Sequence, residues 1–320
     1  MSQLGYACIN MELNSLPKSE RITTNRTMIR RTFLEKGLGY VSELALQNCL
    51  DLEKIIQWNE DNGIKFYRMS SNIFPWNSEY RLEELPDFDE IEKSLKRSGA
   101  LASKFGQRLT THPGPFNKLT SPKESVVANT IVDLENHGVI FDIMELPRTP
   151  YAKINIHVGA HYNDKPMAVN NFCNNFERLS DSVRSRLTVE NDDKPSLYST
   201  KELYEGVYKR IGVPIVFDYH HHKFCDGGQD EEEALLTACM TWGDVKPVVH
   251  YSQSRSVEQD DPKIRDNAHS DSYWTPINLY GLDLDVMLEC KHKEIGLYKM
   301  RELLELKKYA PVAQLDRATA

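Results

Sequence analysis

The sequence lacks several features that define common classes of protein. Its 320 residues contain no run of about 18 apolar side chains, so the sequence predicts no membrane-spanning helix. The first residues show no charged segment followed by a long apolar one, so we expect no secretory signal. The six cysteines form no C-x-x-C pair, which is typical of reduced thiols in an intracellular protein. The expected compartment is the cytoplasm, or the nucleus for a eukaryotic source.

Motifs for several kinds of chemistry are also missing. The sequence has no G-x-S-x-G elbow, no Walker loop and no G-x-G-x-x-G fingerprint, which disfavours serine acyl transfer and nucleotide binding through those loops. Acidic residues outnumber basic ones by 47 to 39, which argues against a general nucleic-acid coat protein but allows a local basic face. Hydrophobic residues make up 40% of the chain, which is enough to build a sizeable core.

Apolar runs and helical patterns alternate along the chain. Eight runs have the composition and turn boundaries of strands, and they cover 4–10, 64–71, 107–114, 152–159, 186–192, 214–221, 246–252 and 286–291. Helical periodicity lies between most of them, at 41–62, 88–105, 121–137, 169–184, 200–211 and 231–242. This alternation predicts a single-domain (β/α)₈ TIM barrel over residues 1–310. Residues 311–320 are expected to form a flexible tail, and 10–27 and 253–282 long polar loops.

Metal-binding side chains end six of the eight predicted strands. They are His112, His157, Glu190, Asp218, His250 and Glu289, and His221 and His269 lie in adjacent loops. The carboxyl ends of the strands surround one mouth of such a barrel, so these eight side chains are expected to converge there. One histidine at a strand end is commonly a surface or hydrogen-bonded residue, but the joint pattern predicts a metal site.

The predicted ligands restrict the metal and its chemistry. Imidazole and carboxylate ligands without thiolate suit Mn²⁺, Zn²⁺, Fe²⁺ or Co²⁺ rather than a structural cysteine-type zinc site. Eight ligands exceed the needs of one ion, so two or three ions are expected, bridged by Glu190 or Glu289. We assign these two glutamates as the catalytic residues. Clustered ions of this kind serve phosphodiester hydrolysis.

The motifs together resemble those of the UV damage endonucleases, metal-dependent enzymes that nick DNA beside UV photoproducts. The resemblance covers about 4–294, and its motifs are LGYACIN (4–10), TNRT (24–27), FYRMSS (66–71), HPG (112–114), IHVG (156–159), LTVEND (187–192), FDYHH (217–221), VHYS (249–252) and DVMLECK (285–291). More distant relatives of the fold are endonuclease IV-type abasic-site nucleases and xylose isomerase-like sugar enzymes.

The resemblance implies a barrel with two or three divalent ions, Mn²⁺ first and Zn²⁺ or Co²⁺ as other candidates, and the same eight ligands. It implies incision of damaged double-stranded DNA immediately 5′ to the lesion, leaving a 3′-hydroxyl end. It also implies that Tyr6 and Asn10 face the DNA. We expect a monomer with no membrane partner.

Two positions depart from the family pattern. The family usually follows His-Pro-Gly with a Gln-Tyr pair that probes the duplex, whereas this chain has Pro115 and Phe116. Phe116 is predicted to wedge between bases, and the competing interpretation is a rigid turn that packs the ring. The family also carries a lysine two residues before the histidine of strand seven, where this chain has Val248. Lys246 lies deeper on that strand and does not inherit the role.

Phosphate contacts are expected from a basic rim around the barrel mouth. Its members are Lys18, Arg21, Arg26, Arg30, Arg31 and Lys118, and Arg26 is favoured because it belongs to the TNRT motif. Three other functions stay open. One is a sugar isomerase or epimerase with one or two metals, another is an abasic-site nuclease of the endonuclease IV type, and the third is an inactive, metal-stabilised DNA-binding protein.

Overall fold

Eight parallel strands close into a barrel in chain order, which confirms the predicted fold. The structure is a computed structural model that describes residues 2–318, with side chains for 2–307. Each strand pairs with its neighbours in sequence, and β1 also pairs with β8 to close the ring. The strands are β1 Leu4–Ala7, β2 Phe66–Met69, β3 Arg108–Thr111, β4 Ile154–His157, β5 Leu187–Glu190, β6 Ile215–Asp218, β7 Val248–Tyr251 and β8 Asp285–Leu288.

Helices surround the barrel and connect its strands. They are α1 Met11–Asn14, α2 Arg30–Asp61, α3 Phe88–Phe105, α4 Glu124–Ile143, α5 Lys165–Phe176, α6 Asp181–Arg184, α7 Thr200–Leu203, α8 Lys209–Ile211, α9 Tyr219–His222, α10 Glu231–Cys239, α11 Arg255–Glu258 and α12 Lys293–Ala318. A π-helical turn, Tyr204–Tyr208, joins α7 to α8. Gly106 ends α3 in the left-handed conformation that glycine adopts without strain.

Several predicted boundaries were wrong. Helix α2 begins eleven residues before the predicted start at 41, although Gly37 breaks its helical geometry. The predicted helix 169–184 is two helices, α5 and α6, and the predicted strand 214–221 ends at Asp218, where α9 begins. The two loops expected at 10–27 and 253–282 contain α1 and α11. Helix α12 follows β8, where no helix is predicted.

The barrel interior has an apolar middle and a charged floor. Six buried side chains, Ala7, Phe66, Val216, Trp242, Val248 and Met287, pack together inside the ring, separately from the core between barrel and helices. Beneath them Arg108 donates hydrogen bonds to the Asp285 carboxylate at 2.9 Å and to the Lys246 carbonyl at 3.0 Å. This packing fills the amino-terminal end of the barrel, and the cavity that reaches the predicted ligands lies at the carboxyl ends of the strands.

Two other predictions concern membrane-spanning helices and the carboxyl-terminal tail. Among residues 2–318, no helix combines the length and apolar composition needed to cross a bilayer. The tail predicted at 311–320 lies outside the residues whose side chains are described, so the boundary at residue 310 stays a prediction.

Candidate metal centre

The barrel mouth gathers the predicted ligands into three overlapping groups. In each group three ligand atoms lie within 4.8 Å of one another, and the groups are His112–Glu190–His250, His157–Glu190–His221 and Asp218–His250–Glu289. Glu190 belongs to two groups, and so does His250. The eighth predicted ligand, His269, is outside these groups, with its Nδ1 4.0 Å from Glu289 Oε2. Their convergence agrees with the predicted geometry, and their ligand roles stay predictions.

Glu190 lies at the middle of the centre, where two ligand groups share its carboxylate. It ends β5, is almost fully buried, and has His112 Nε2 and His250 Nδ1 each 3.1 Å from Oε2. His221 Nδ1 lies 3.4 Å from the other oxygen, Oε1. Asn155 from β4 donates to Oε2 at 2.5 Å, and Thr188 in turn donates to the Asn155 side-chain oxygen at 2.7 Å. These bonds fix the carboxylate where two candidate sites meet.

One oxygen of Asp218 supports the interpretation as a metal site. Asp218 Oδ1 accepts hydrogen bonds from the backbone N–H groups of His220 and His221, at 2.7 and 2.8 Å, and so caps α9. The other oxygen, Oδ2, is buried and has no hydrogen-bond partner among residues 2–307. A buried carboxylate oxygen without a partner is costly, and a divalent cation would satisfy it. The donor set of imidazoles and carboxylates therefore fits divalent metal ions.

A long loop and a buried arginine complete the centre. The loop after β7 folds back through an antiparallel bridge between Ser254 and His269, which holds the His269 ring near the mouth. Arg68 from β2 forms an ion pair with Glu289 inside the barrel. This pair offsets one of the three carboxylate charges.

Burial and the clustered charges shift the protonation of the site. Burial alone would lower the pKa of His157, but Glu190 and Asp192 raise it to about 10. Burial lowers the pKa of His250 to about 4 and raises the pKa of Asp218 to about 6. Without metal at neutral pH, His157 therefore holds a proton that a ligand must release, whereas His250 is neutral.

This protonation predicts pH-dependent metal affinity. A histidine binds a metal only after losing its proton, so affinity should rise with pH until the medium passes the His157 pKa. We expect the Mn²⁺ dissociation constant to fall by roughly ten-fold between pH 7 and pH 8 for one released proton. Below pH 6, protonation of Asp218 should weaken binding further. Calorimetric titration in buffers of different ionisation enthalpy measures the Mn²⁺ dissociation constant and the number of protons released on binding. The same dissociation constant at pH 7 and pH 8 would contradict this protonation scheme.

Lys153 is a buried group at this centre that the sequence pattern did not single out. It lies on β4 at the same strand parity as Asn155 and His157, so it points into the barrel. Its Nζ is 3.0 Å from His250 Nε2, and burial lowers its pKa to about 7. The signal available in the sequence was the period of two that places it below His157.

Tyr6 and Asn10 lie beneath the surface. Tyr6 is fully buried between the barrel and α2, and its hydroxyl donates to Asn59 Oδ1 at 2.7 Å. Asn10 is 1% exposed, caps α1 by accepting from the Leu13 N–H, and donates to the Tyr6 hydroxyl oxygen. In this conformation neither side chain is accessible to DNA, so both support the loop after β1.

Arg26 is also engaged within the protein. Its guanidinium lies 2.7 Å from the buried carboxylate of Asp51 and donates to two backbone carbonyls of its own loop, those of Thr23 and Arg21. An arginine held in this way anchors the loop after β1. The exposed members of the predicted rim are Lys18, Arg21, Arg30 and Arg31, of which Arg30 pairs with Glu79 and Arg31 with Glu35.

The Pro115–Phe116 turn projects from the mouth. Phe116 is 87% exposed, the largest exposure among the large hydrophobic side chains of residues 2–307. The next residue, Asn117, donates to the Gly114 carbonyl at 3.2 Å and to the Asp133 carboxylate of α4 at 2.6 Å. The ring does not pack into the loop, which removes the competing interpretation of a packed turn. A hydrogen-bonded turn therefore carries an exposed aromatic side chain.

A cavity of about 870 Å³ leads from this turn to the metal centre. Its walls include Pro115, Lys118 and Lys194 together with four of the predicted ligands, His112, His157, His221 and Glu289. The cavity therefore connects the turn with the candidate metal centre.

The family model described as "UV-endonuclease UvdE" matches residues 2–318. The chain belongs to this family. It is 34% identical over 319 residues to a UV-damage endonuclease of Schizosaccharomyces pombe, covering 95% of this chain and 51% of that protein. The crystal structure of SacUVDE superposes with a TM-score of 0.81 at 28% identity, over 96% of this UvdE chain and 99% of that one.

This UvdE chain spans about half the length of the fungal relative. A 3-keto-D-glucoside 4-epimerase from Escherichia coli superposes with a TM-score of 0.54 at 11% identity, over 96% of this chain and 98% of that one. Likeness at that identity shows a shared barrel and does not support the sugar-isomerase alternative.

Proposed function

We propose that this protein is a metal-dependent DNA repair endonuclease that cuts the backbone immediately 5′ to UV photoproducts. The observation that carries the proposal is the overlap of three ligand groups around Glu190 and His250 at the mouth of a UvdE-family barrel. Separate ligand groups that share side chains suit two or three ions, for which we favour Mn²⁺. The substrate is double-stranded DNA carrying the lesion, and the expected product ends are a 3′-hydroxyl and a 5′-phosphate.

Each residue of the centre has a distinct part in this proposal. His112, His157, His221, His250, His269, Glu190, Asp218 and Glu289 would hold the ions. When bound, such ions lower the pKa of water and neutralise the phosphate and the leaving oxygen. Asn155 fixes Glu190, and the cap on α9 fixes His221. The closed floor beneath Val248 keeps bulk water from entering from below.

Recognition of the lesion would depend on weakened stacking. A photoproduct disturbs stacking and pairing, so unstacking and bending the duplex there costs less than in intact DNA. The exposed Phe116 ring follows Pro115, which lines the cavity, and in the proposal it replaces the stacking that the lesion step loses. The hydrogen bond from Asn117 to Asp133 holds the turn that carries Phe116, which would lower the entropy cost of that contact.

Incision of a defined duplex tests the proposal. The substrate is a 5′-labelled duplex with one cyclobutane dimer, incubated with Mn²⁺ and, separately, with EDTA, and the same duplex without damage is the control. We expect one cut, adjacent to the dimer on its 5′ side, only with Mn²⁺. Cutting at another position would overturn the predicted product.

Other outcomes would favour the alternatives. Tight binding without cutting in saturating Mn²⁺ would indicate the inactive DNA-binding protein. Turnover of ketoses or aldoses without cutting of DNA would indicate the isomerase. A duplex with one abasic site distinguishes an endonuclease IV-like activity, which would cut that duplex and leave the dimer intact.

Replacing Phe116 with alanine should weaken binding to damaged DNA selectively. Stacking of a base on an aromatic ring is worth about 1–3 kcal/mol, so affinity for the dimer duplex should fall by about ten-fold. Affinity for undamaged duplex should change little, because its base step stays stacked. Fluorescence anisotropy with EDTA present measures both affinities without incision.

Two controls accompany Phe116→Ala, which are its melting temperature and the second variant Phe116→Trp. Because the ring is 87% exposed, the melting temperature should stay within a degree or two of the wild type. Phe116→Trp should retain or improve damaged-duplex affinity. Equal losses on both duplexes would refute the wedge.

A further inference from the structure

Arg68 is a positively charged side chain that lines the cavity and is not one of the predicted metal ligands. It lies on β2, where its Cα pairs with Ala7 of β1 and Thr110 of β3. Its side chain is 13% exposed and lines the cavity together with His112 and Glu289. Burying a guanidinium costs free energy unless its charge and its N–H donors are paired.

One buried donor of Arg68 has no partner. Its Nη1 pairs with Glu289, whereas its Nε has no hydrogen-bond partner among residues 2–307. A guanidinium carries five donors in a planar fork, which suits two oxygens of a phosphate. A guanidinium does not lose its proton in proteins, so the side chain is positively charged.

The other basic side chains near the centre are less suitable. Lys118 and Lys194 line the same cavity closer to its rim, where Lys194 is exposed. Lys153 is fully buried against His250 and does not line the cavity. Among the lysines and arginines that line the cavity, Arg68 alone contacts a predicted ligand directly.

We propose that Arg68 is a catalytic residue that binds the phosphate at the cleavage site through a non-bridging oxygen, an inference that rests on the proposed function. In the reaction, a water oxygen forms a bond to phosphorus and gives up a proton, the bond from phosphorus to the 3′-oxygen breaks, and the 3′-oxygen takes up a proton in exchange. Negative charge grows on the non-bridging oxygens during this exchange. Arg68 donates hydrogen bonds to that charge and is unchanged at the end.

Binding of the nicked product tests this contact without any turnover. The manganese-loaded protein is titrated with two dimer-bearing duplexes nicked at the cleavage site, one with a 5′-phosphate at the nick and one with a 5′-hydroxyl. We expect the wild type to bind the phosphate-bearing nick at least about ten-fold more tightly, because charge-assisted hydrogen bonds are strong. Arg68→Met should lose most of that preference, and Arg68→Lys should recover part of it.

Two controls make the result specific. Lys194→Met removes one positive charge from the same cavity, and it should weaken binding to both nicked duplexes equally. Metal content is measured for every protein, and Mn²⁺ is kept saturating so that a change at Glu289 cannot imitate the effect. Arg68→Met that keeps the full preference for the phosphate-bearing nick at normal metal content would overturn the assignment. A wild type that cuts no damaged duplex would instead refute the proposed function.

Discussion

Glu190→Gln should abolish most metal binding and reduce incision by more than a hundred-fold while the barrel stays folded. The substitution preserves the shape of the side chain but removes the charge that two of the three ligand groups share. Loss of a residue that only supports a ligand already costs about 10–100-fold in metal affinity or activity, so loss of a shared ligand should cost more. The effect should exceed that of changing Glu289, which belongs to one group.

Stability provides a readout of Glu190 that is independent of incision. A bound ion stabilises the folded state in proportion to the logarithm of its concentration over its dissociation constant. Added Mn²⁺ should therefore raise the melting temperature of the wild type and raise that of Glu190→Gln much less. Glu124→Gln, which loses an exposed pair with Arg178, is the matched control and should respond like the wild type. Normal metal content and full incision by Glu190→Gln would remove Glu190 from the ligand set.

Lys153→Met should lower metal affinity by about 10–100-fold, the range found for residues that support metal ligands. His250 Nδ1 faces both Glu190 and Glu289 at 3.1 Å, so Nδ1 is the nitrogen placed to bind an ion. The proton of the ring then lies on Nε2, and the neutral amine of Lys153 accepts it at 3.0 Å. Methionine fills the same space but leaves that N–H buried without a partner.

Lys246→Met provides the comparison for Lys153→Met. Lys246 lies at the floor of the barrel beside Asp283 and Asp285, away from the ligands. Its replacement should lower the melting temperature without changing the Mn²⁺ dissociation constant. The Mn²⁺ dissociation constants of the two variants are measured by titration at pH 8, where Lys153 with its pKa of about 7 is largely neutral. Equal Mn²⁺ affinities for wild type and Lys153→Met would show that His250 needs no such support.

The parts of the site that sequence predicted are those fixed by strand geometry. Side chains at the carboxyl ends of parallel strands must meet at one mouth, so the positions of His112, His157, Glu190 and His250 followed from finding the strands. Strand lengths were less predictable, because each ladder uses only four residues and the apolar runs continue beyond it. Asp218 shows why, since its side chain begins a helix inside a run that reads as strand.

Contacts across the barrel were not predictable from the sequence. Lys153 and His250 are 97 residues apart, and Arg68 and Glu289 are 221 apart, so no local pattern joins them. Tyr6 shows the reverse problem, because a family motif shared with this chain did not reveal that the ring faces α2. The resemblance implies that Tyr6 faces the DNA, whereas the packing shows that its side chain is buried and hydrogen-bonded to Asn59.

The cap on α9 couples the position of Asp218 to that of His221. One oxygen of Asp218 fixes the first turn of the helix, that turn sets the direction of the His221 ring, and the second oxygen remains available to an ion. The interval of three residues between them is therefore a spacer with a fixed length. An inserted residue would rotate the histidine by about 100° around the helix and displace it from Glu190, although every ligand would still be present.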